Sequence, residues 1–219
     1  MVKINKVSKI SFDIEKSFMK NKNDIILGID EAGRGCLAGP VVAACCWINQ
    51  EKFPADLLCQ INDSKKISEK HREEIFNKLC LLSDDTFMFE YDSVPANIID
   101  EINILQASLL AMKNAYQKLI PRLKNNPVIT LVDGNKAPVI NPCHTVISGD
   151  AISYSIAAAS IVAKVMKDKL LNEIGKIFPE YEFDKNKGYG TKSHMIALEK
   201  YGITEYHRKT YAPVKKYIK

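Results

Sequence analysis

Hydrophobic positions along the chain fall into runs of two kinds. Short apolar runs, Ile25–Ile29 and Val41–Ile48, flank a glycine-rich stretch and predict strands over 25–30 and 40–48. A third strand is expected over Thr86–Tyr91, a buried-type strand over Pro127–Val132, and short extended pieces at Val139-Ile140 and Thr145–Ile147. The other kind recurs every three or four residues. Ile75, Leu79 and Leu82 follow Ser68, a suitable N-cap. A long helix is predicted between Pro95 and Pro121, with Ile98, Ile102, Leu105, Leu109, Met112, Tyr116 and Leu119 as its buried stripe. A helix of small residues, Ile156–Val165, is expected to pack closely on the sheet, and a short one runs from about His194 to Tyr201.

Consecutive strands come first and strand–helix alternation later, which implies an α/β or α+β fold, a mixed sheet with helices on its faces. Residues 1–24 are polar and lysine-rich, a loosely attached lead-in with one apolar patch at Ile10-Ser11-Phe12. Residues 1–180 read as the main body and 181–219 as a C-terminal helical appendage that does not fold separately.

Composition adds little until charge is followed along the chain. Apolar residues make up 46% and charged residues 26% of 219, the ordinary balance of a globular protein. No run approaches the roughly 18 apolar residues of a membrane span, and the first residues lack a signal-peptide core, so a cytoplasmic location is expected. The six cysteines form no C-x-x-C pair and are not spaced with the four histidines as zinc ligands. Most lie in apolar runs and read as buried thiols; Cys36 lies instead in the glycine-rich loop. Residues 185–219 carry nine lysines and arginines against two acids, whereas the preceding 184 carry 22 against 24. Five of the nine tyrosines share that basic end. Basic residues interleaved with aromatics suit a phosphate backbone with sugars or bases to stack on, and a solvated basic tail would look the same.

Three apolar strands end in carboxylate: Asp30-Glu31, Asp133 and Asp150. Adjacent strand residues point to opposite faces, so Asp30 and Glu31 share a site only if the chain turns at Glu31. Carboxylates converging at adjacent strand ends would raise one another's pKa unless Mg²⁺ or Mn²⁺ neutralised them. Two such ions, roughly 3.5–4 Å apart, drive in-line attack of water on a phosphodiester. The plainer alternative makes these acids turn residues or caps, with Asp150 capping the helix after it. Gly33-Arg34-Gly35 offers bare N–H groups and a guanidinium that suits phosphate. It is no P-loop, since no Gly-Lys-Ser/Thr follows, and no dinucleotide fingerprint, since a strand follows it.

Taken together, Gly28–Gly35, Asn62–Lys66, Val132–Asn135, Gly149-Asp150 with Ala157–Val165, and Asn186–Thr191 closely resemble the ribonuclease HII family, the bacterial type 2 ribonuclease H, over residues 25 to 214. The resemblance implies a ribonuclease H-like fold with a small helical C-terminal extension. It implies metal-dependent cleavage of RNA in RNA–DNA hybrids, and cleavage 5′ of single ribonucleotides embedded in duplex DNA, leaving 3′-hydroxyl and 5′-phosphate ends. Asp30, Glu31, Asp133 and Asp150 look like the family's metal-binding acids. Gly33, Arg34 and Gly35 look like the loop that senses the ribose 2′-hydroxyl, and Tyr189 like the tyrosine that stacks on the sugar beside the junction. Ser64, Lys65, Lys164 and Arg208 are candidate phosphate contacts, and Asp168 is expected in a surface salt bridge. Cys36 stands where the family usually has proline, and Met166 where threonine is common. The alternatives are another nuclease of this fold acting on DNA junctions and a non-catalytic hybrid-binding module. A monomer without a clamp-binding motif is expected.

Overall fold

The computed structural model describes residues 10–62, 64, 67–123 and 126–218. Its five-stranded sheet has the order β3-β2-β1-β4-β5, with β1 Ile25–Ala32, β2 Val41–Ile48, β3 Phe87–Val94, β4 Val128–Asp133 and β5 Cys143–Val146. β1, β2 and β3 pair antiparallel, and β4 and β5 join them parallel to β1. The mixed sheet expected from the element order is therefore present.

Alternation along β1 sorts the two faces. Ile25, Leu27 and Ile29 pack with α4 (Ala96–Leu119) on one side. Ile26, Gly28 and Asp30 point to the other, where α5 (Tyr154–Ile177) lies. The small residues of α5 do what their size allows: Ala157, Ala158, Ala159 and Ser160 are all buried. Contact is so close at Gly28 that a Cβ there would fall 2.1 Å from the Ser155 carbonyl carbon. Glycine at 28 is thus what lets α5 begin directly over β1, two residues from Asp30. The helix α3 (Glu69–Cys80), capped by the Ser68 hydroxyl, and the short α2 (Ala55–Leu58) cover the same face nearer β2 and β3.

The long helix α4 departs from expectation. Asn103 has φ 66° and breaks it, its Oδ1 accepting the N–H groups of Leu105 and Gln106, so the second segment starts from an internal cap. The buried face is then Ala107, Ala111, Met112, Ala115 and Leu119, with Leu109 and Tyr116 beside it. Val139-Ile140 is not in a strand. The lead-in is also corrected over its described part. Residues Asp13–Phe18 form α1, whose Ile14 and Phe18 pack on the cluster of Ile26, Leu131 and Ile156. Residues 1–9 lie outside the described residues.

After α5 the chain forms three short helices, α6 (Phe183–Asn186), α7 (Lys192–Tyr201) and α8 (Ala212–Lys215). They share an apolar cluster with Leu37, Ala38 and Leu171. This segment is therefore stitched to the loop after β1: Leu37 N–H donates to Gly188, Gly39 N–H to Tyr206 and Arg208 N–H to Leu37. Cys36 is fully buried, while Cys59 and Cys80 are exposed, the reverse of what their neighbourhoods in sequence suggest. Among the described residues no helix is long and apolar enough to cross a membrane.

Candidate active site

Pairing of β1 with β4 sets Ile29 beside Val132, so Asp30 and Asp133 follow at neighbouring strand ends on the α5 face. Asp150 reaches the same place from a one-turn 3₁₀ segment, Gly149–Ala151, just ahead of α5. One oxygen from each of these three carboxylates lies within 4.8 Å of the others. The turn is fixed from below, since Gly149 N–H donates to Asp133 Oδ1 at 2.6 Å. Asp150 does not cap α5; Ser153 does, accepting from Ile156 N–H. Burial first, and then the charges of Glu31 and Asp133, push the Asp30 carboxyl well above the usual carboxylate range.

Glu31 stands apart from this trio. The expected turn at Glu31 is absent, because β1 continues to Ala32 and pairs Glu31 with Ala43. Alternation then sends Glu31 away from Asp30. Its Oε1 meets Arg34 Nη1 at 3.0 Å, and that bond opposes the rise that burial imposes on its pKa. Asp133 is near enough to add to the rise, which sets Glu31 at the edge of the cluster.

The loop 33–35 hangs from a residue assigned to a different role by sequence. Arg208 is fully buried and donates to the carbonyls of Gly33 (2.7 Å), Arg34 (2.9 Å) and Gly39 (3.1 Å). It is a strut behind the loop, not a phosphate contact. Tyr211 adds a second bond to the Arg34 carbonyl at 2.8 Å. Gly33 has φ +96°, and a Cβ there would lie 2.9 Å from the Pro40 carbonyl oxygen.

Tyr189 is 41% exposed and lies against this loop, its ring 3.9 Å from where a Cβ on Gly35 would stand. Burial, reinforced by Cys36, raises its hydroxyl to about 12. Its backbone is held by a line of buried imidazoles that sequence alone did not single out. Thr204 N–H donates to His207 Nδ1 (2.9 Å), His207 Nε2 meets His194 Nε2 (3.0 Å), and His194 Nδ1 meets the Tyr189 carbonyl (2.9 Å). The amide fixes every proton: His207 must carry its hydrogen on Nε2 and His194 on Nδ1. Burial lowers both pKa values, that of His207 to about 4.

Beside the Tyr189 ring lies a cationic cluster. Lys167 Nζ is 4.9 Å from the ring centroid and Lys164 Nζ 5.8 Å. Both bind Asp168 Oδ1, at 2.7 Å and 2.9 Å. Asp168 is buried, not at the surface, and Arg72 lies 3.7 Å from its other oxygen. Burial tends to raise its pKa, and the two lysines overcome that and lower it. Lys164 keeps partial exposure, its own pKa lowered by burial and then by Lys167. Ser64 is withdrawn from any phosphate: it is buried, its hydroxyl meets Ser160 Oγ at 2.6 Å, and its carbonyl accepts from Arg72. Lys65 lies outside the described residues. Of this network only the Lys164–Asp168 pair, four residues apart on one helix, carries a signal in sequence.

The family model for Ribonuclease HII matches residues 27–214. The chain is 45% identical over 205 residues to the ribonuclease HII of Desulfitobacterium hafniense, covering 93% of this chain and 75% of that one. Among solved structures, the ribonuclease HII of Archaeoglobus fulgidus in its complex with PCNA aligns with a TM-score of 0.66 and 26% identity over 85% of this chain and 95% of that one. Bst-RNase HIII in complex with Mn²⁺ aligns with a TM-score of 0.69 over 89% of this chain and 69% of that one. At 14% identity, that second likeness speaks for the fold alone.

Proposed function

The chain belongs to the ribonuclease HII family, endoribonucleases of RNA–DNA hybrids, and from that premise we propose that it also cuts 5′ of single ribonucleotides embedded in duplex DNA, using divalent cations held by Asp30, Asp133 and Asp150. The observation that carries the reading is the convergence of three carboxylate oxygens within 4.8 Å, two from adjoining strand ends and one from the turn ahead of α5. The donor set fits Mg²⁺ or Mn²⁺: hard oxygens only, two of the three acids buried, and charges that resist ionising side by side. Two ions bound there would supply the positive charge that favours deprotonation of an attacking water and stabilises the departing 3′ oxygen. Glu31, tied to Arg34, serves the edge of the site and adds negative charge as a fourth acid.

The remaining chemistry belongs to recognition. Arg208 and Tyr211 draw the Gly33 and Arg34 carbonyls inward, and so hold the loop with its amide groups toward the ribose, where a 2′-hydroxyl is both donor and acceptor. The exposed Tyr189 ring offers a flat surface to the sugar beside the junction. Lys164, the partly exposed member of the cationic cluster, faces the phosphates, and the basic segment 181–219 follows the duplex backbone.

The test is cleavage of a labelled DNA duplex carrying one ribonucleotide, in Mg²⁺, Mn²⁺ or EDTA, beside an all-DNA duplex, an all-DNA junction and a long hybrid. Metal-dependent cutting at the ribonucleotide's 5′ side alone supports the reading. A cut hybrid with an intact single-ribonucleotide duplex would remove the junction specificity. Cutting of all-DNA junctions instead would favour the rival nuclease.

A further inference from the structure

The turn that carries Asp150 is held from both ends. At its start Gly149 N–H donates to Asp133. At its finish the partner comes from α1, outside the span expected to matter. Glu15 is fully buried, and its Oε1 accepts from Ser153 Oγ at 2.7 Å and from Ser155 N–H at 3.0 Å. Its Oε2 is buried without a partner among the described residues. Ser153 in turn donates its N–H to Gly149 at 2.8 Å, and Ser11 N–H donates to Ile152 at 3.3 Å. Phe18 adds a ring contact to His144 of β5, with centroids 4.5 Å apart.

A carboxyl stripped of water is costly unless hydrogen bonds compensate it, and here both of them converge on one oxygen, from Ser153 and Ser155. Ser153 caps α5 by accepting from Ile156 N–H, and Glu15 accepts the neighbouring first-turn amide, Ser155 N–H, from a different element. What Glu15 adds is direction. It accepts a hydrogen bond from the Ser153 hydroxyl, fixing that side chain, and anchors the first turn of α5 to a helix packed on the sheet. The three-residue segment between Gly149 and Ser153 then has little freedom, and Asp150 lies within it.

We infer that Glu15 is a positioning residue for Asp150: acting from the N-terminal segment, it holds the turn that presents this carboxylate to the divalent cation. The inference rests on the reading of Asp30, Asp133 and Asp150 as the cation site.

The test uses the full chain with Glu15→Ala, Glu15→Gln and Ser153→Ala. Two titrations with Mn²⁺ are read, one by the rise in Tm and one by cleavage of a long hybrid, together with KM for the duplex and the Tm of metal-free protein. Glu15→Ala is expected to need about tenfold more Mn²⁺ for half-maximal cleavage and to show a smaller Mn²⁺-induced rise in Tm, with KM for duplex held within about twofold. Glu15→Gln, whose amide oxygen accepts the same two bonds, should return to within about threefold of wild type. Ser153→Ala should shift the Mn²⁺ requirement in the same direction as Glu15→Ala, and it carries the test if Glu15→Ala does not fold. Unchanged Mn²⁺ titrations in Glu15→Ala or Ser153→Ala, whatever the metal-free Tm, would overturn the inference. So would a loss in Glu15→Gln equal to that in Glu15→Ala. Wild type that cuts nothing in any metal would instead strike the cation-site reading on which the inference stands.

Discussion

At the scale of single residues, Arg208 shows how a charge can serve a site without touching substrate. Its guanidinium is wholly buried and bound to three carbonyls of the 33–39 loop. Hydrogen bonds from a charged donor contribute roughly 1.5–3 kcal/mol each. Arg208→Met is therefore expected to lower stability by about 3 kcal/mol or more, read as a fall in Tm. Lysine has no fork to span three acceptors, so Arg208→Lys should rescue little of this. The loop would relax too, and cleavage at a single embedded ribonucleotide should fall further than cleavage of a long hybrid; equal losses would mean the strut supports the fold and not recognition. The acids behave otherwise. Asp133→Asn and Asp150→Asn are each expected to cut the cleavage rate roughly a thousandfold, some 4 kcal/mol of transition-state stabilisation, while gel-shift binding of the hybrid persists. Full activity in either variant would remove that residue from the site. The contrast explains what was readable beforehand. Strand-end acids announce themselves because a carboxylate beside glycine after an apolar run has few structural uses. An arginine in a basic tail looks the same whether it faces phosphate or carbonyls, because residue type does not encode burial.

At the scale of elements, the site depends on where α5 begins. Gly28 is the position that decides this, with room for a hydrogen and nothing more beneath Ser155. Gly28→Ala would force the first turn of α5 off β1, because the clashing atoms are backbone and have no rotamer to change. Overpacking of this kind costs about 1–3 kcal/mol, and since Asp150 precedes that turn, activity should fall more than the loss of folded protein explains. A comparison of Tm with specific activity at low temperature checks it. The strands and helices themselves were legible because their patterns differ: short unbroken apolar runs for β1 and β2, and a repeat of about 3.6 for α3. The break in α4 was not, since Ile98 to Leu119 keeps helical spacing across Asn103, and an asparagine capping from within a helix leaves that pattern intact. The expected turn at Glu31 is absent for another reason: β1 pairs with β2 through Ala32, so Glu31 stays on the strand beside Asp30 and comes near Asp133 from its edge.

For the molecule as a whole, the C-terminal segment is joined to the 33–39 loop by Arg208, and inside that segment the buried His194–His207 pair ties Tyr189 to Thr204. The imidazole line needs both rings neutral, because a second proton would set N–H against N–H across the 3.0 Å gap. Burial lowers the His207 pKa to about 4 from an ordinary 6.5. Between those values the unfolded chain binds more protons than the folded one, so stability rises with pH through that window and is lost as the solution is acidified through it. The full shift corresponds to up to about 3 kcal/mol. Asp30 and Glu31 act in the opposite sense, since their folded pKa values are raised and acid favours the folded form. A single acid titration of the wild type therefore mixes the two. Their separation comes from the difference between wild type and His207→Asn, both without metal, with Tm followed from pH 7.5 to 4.5. The gap between the two curves should be widest at neutral pH, where the imidazole line is intact, and should close on acidification. A gap that stays constant with pH would mean that the pair packs the tail through shape alone.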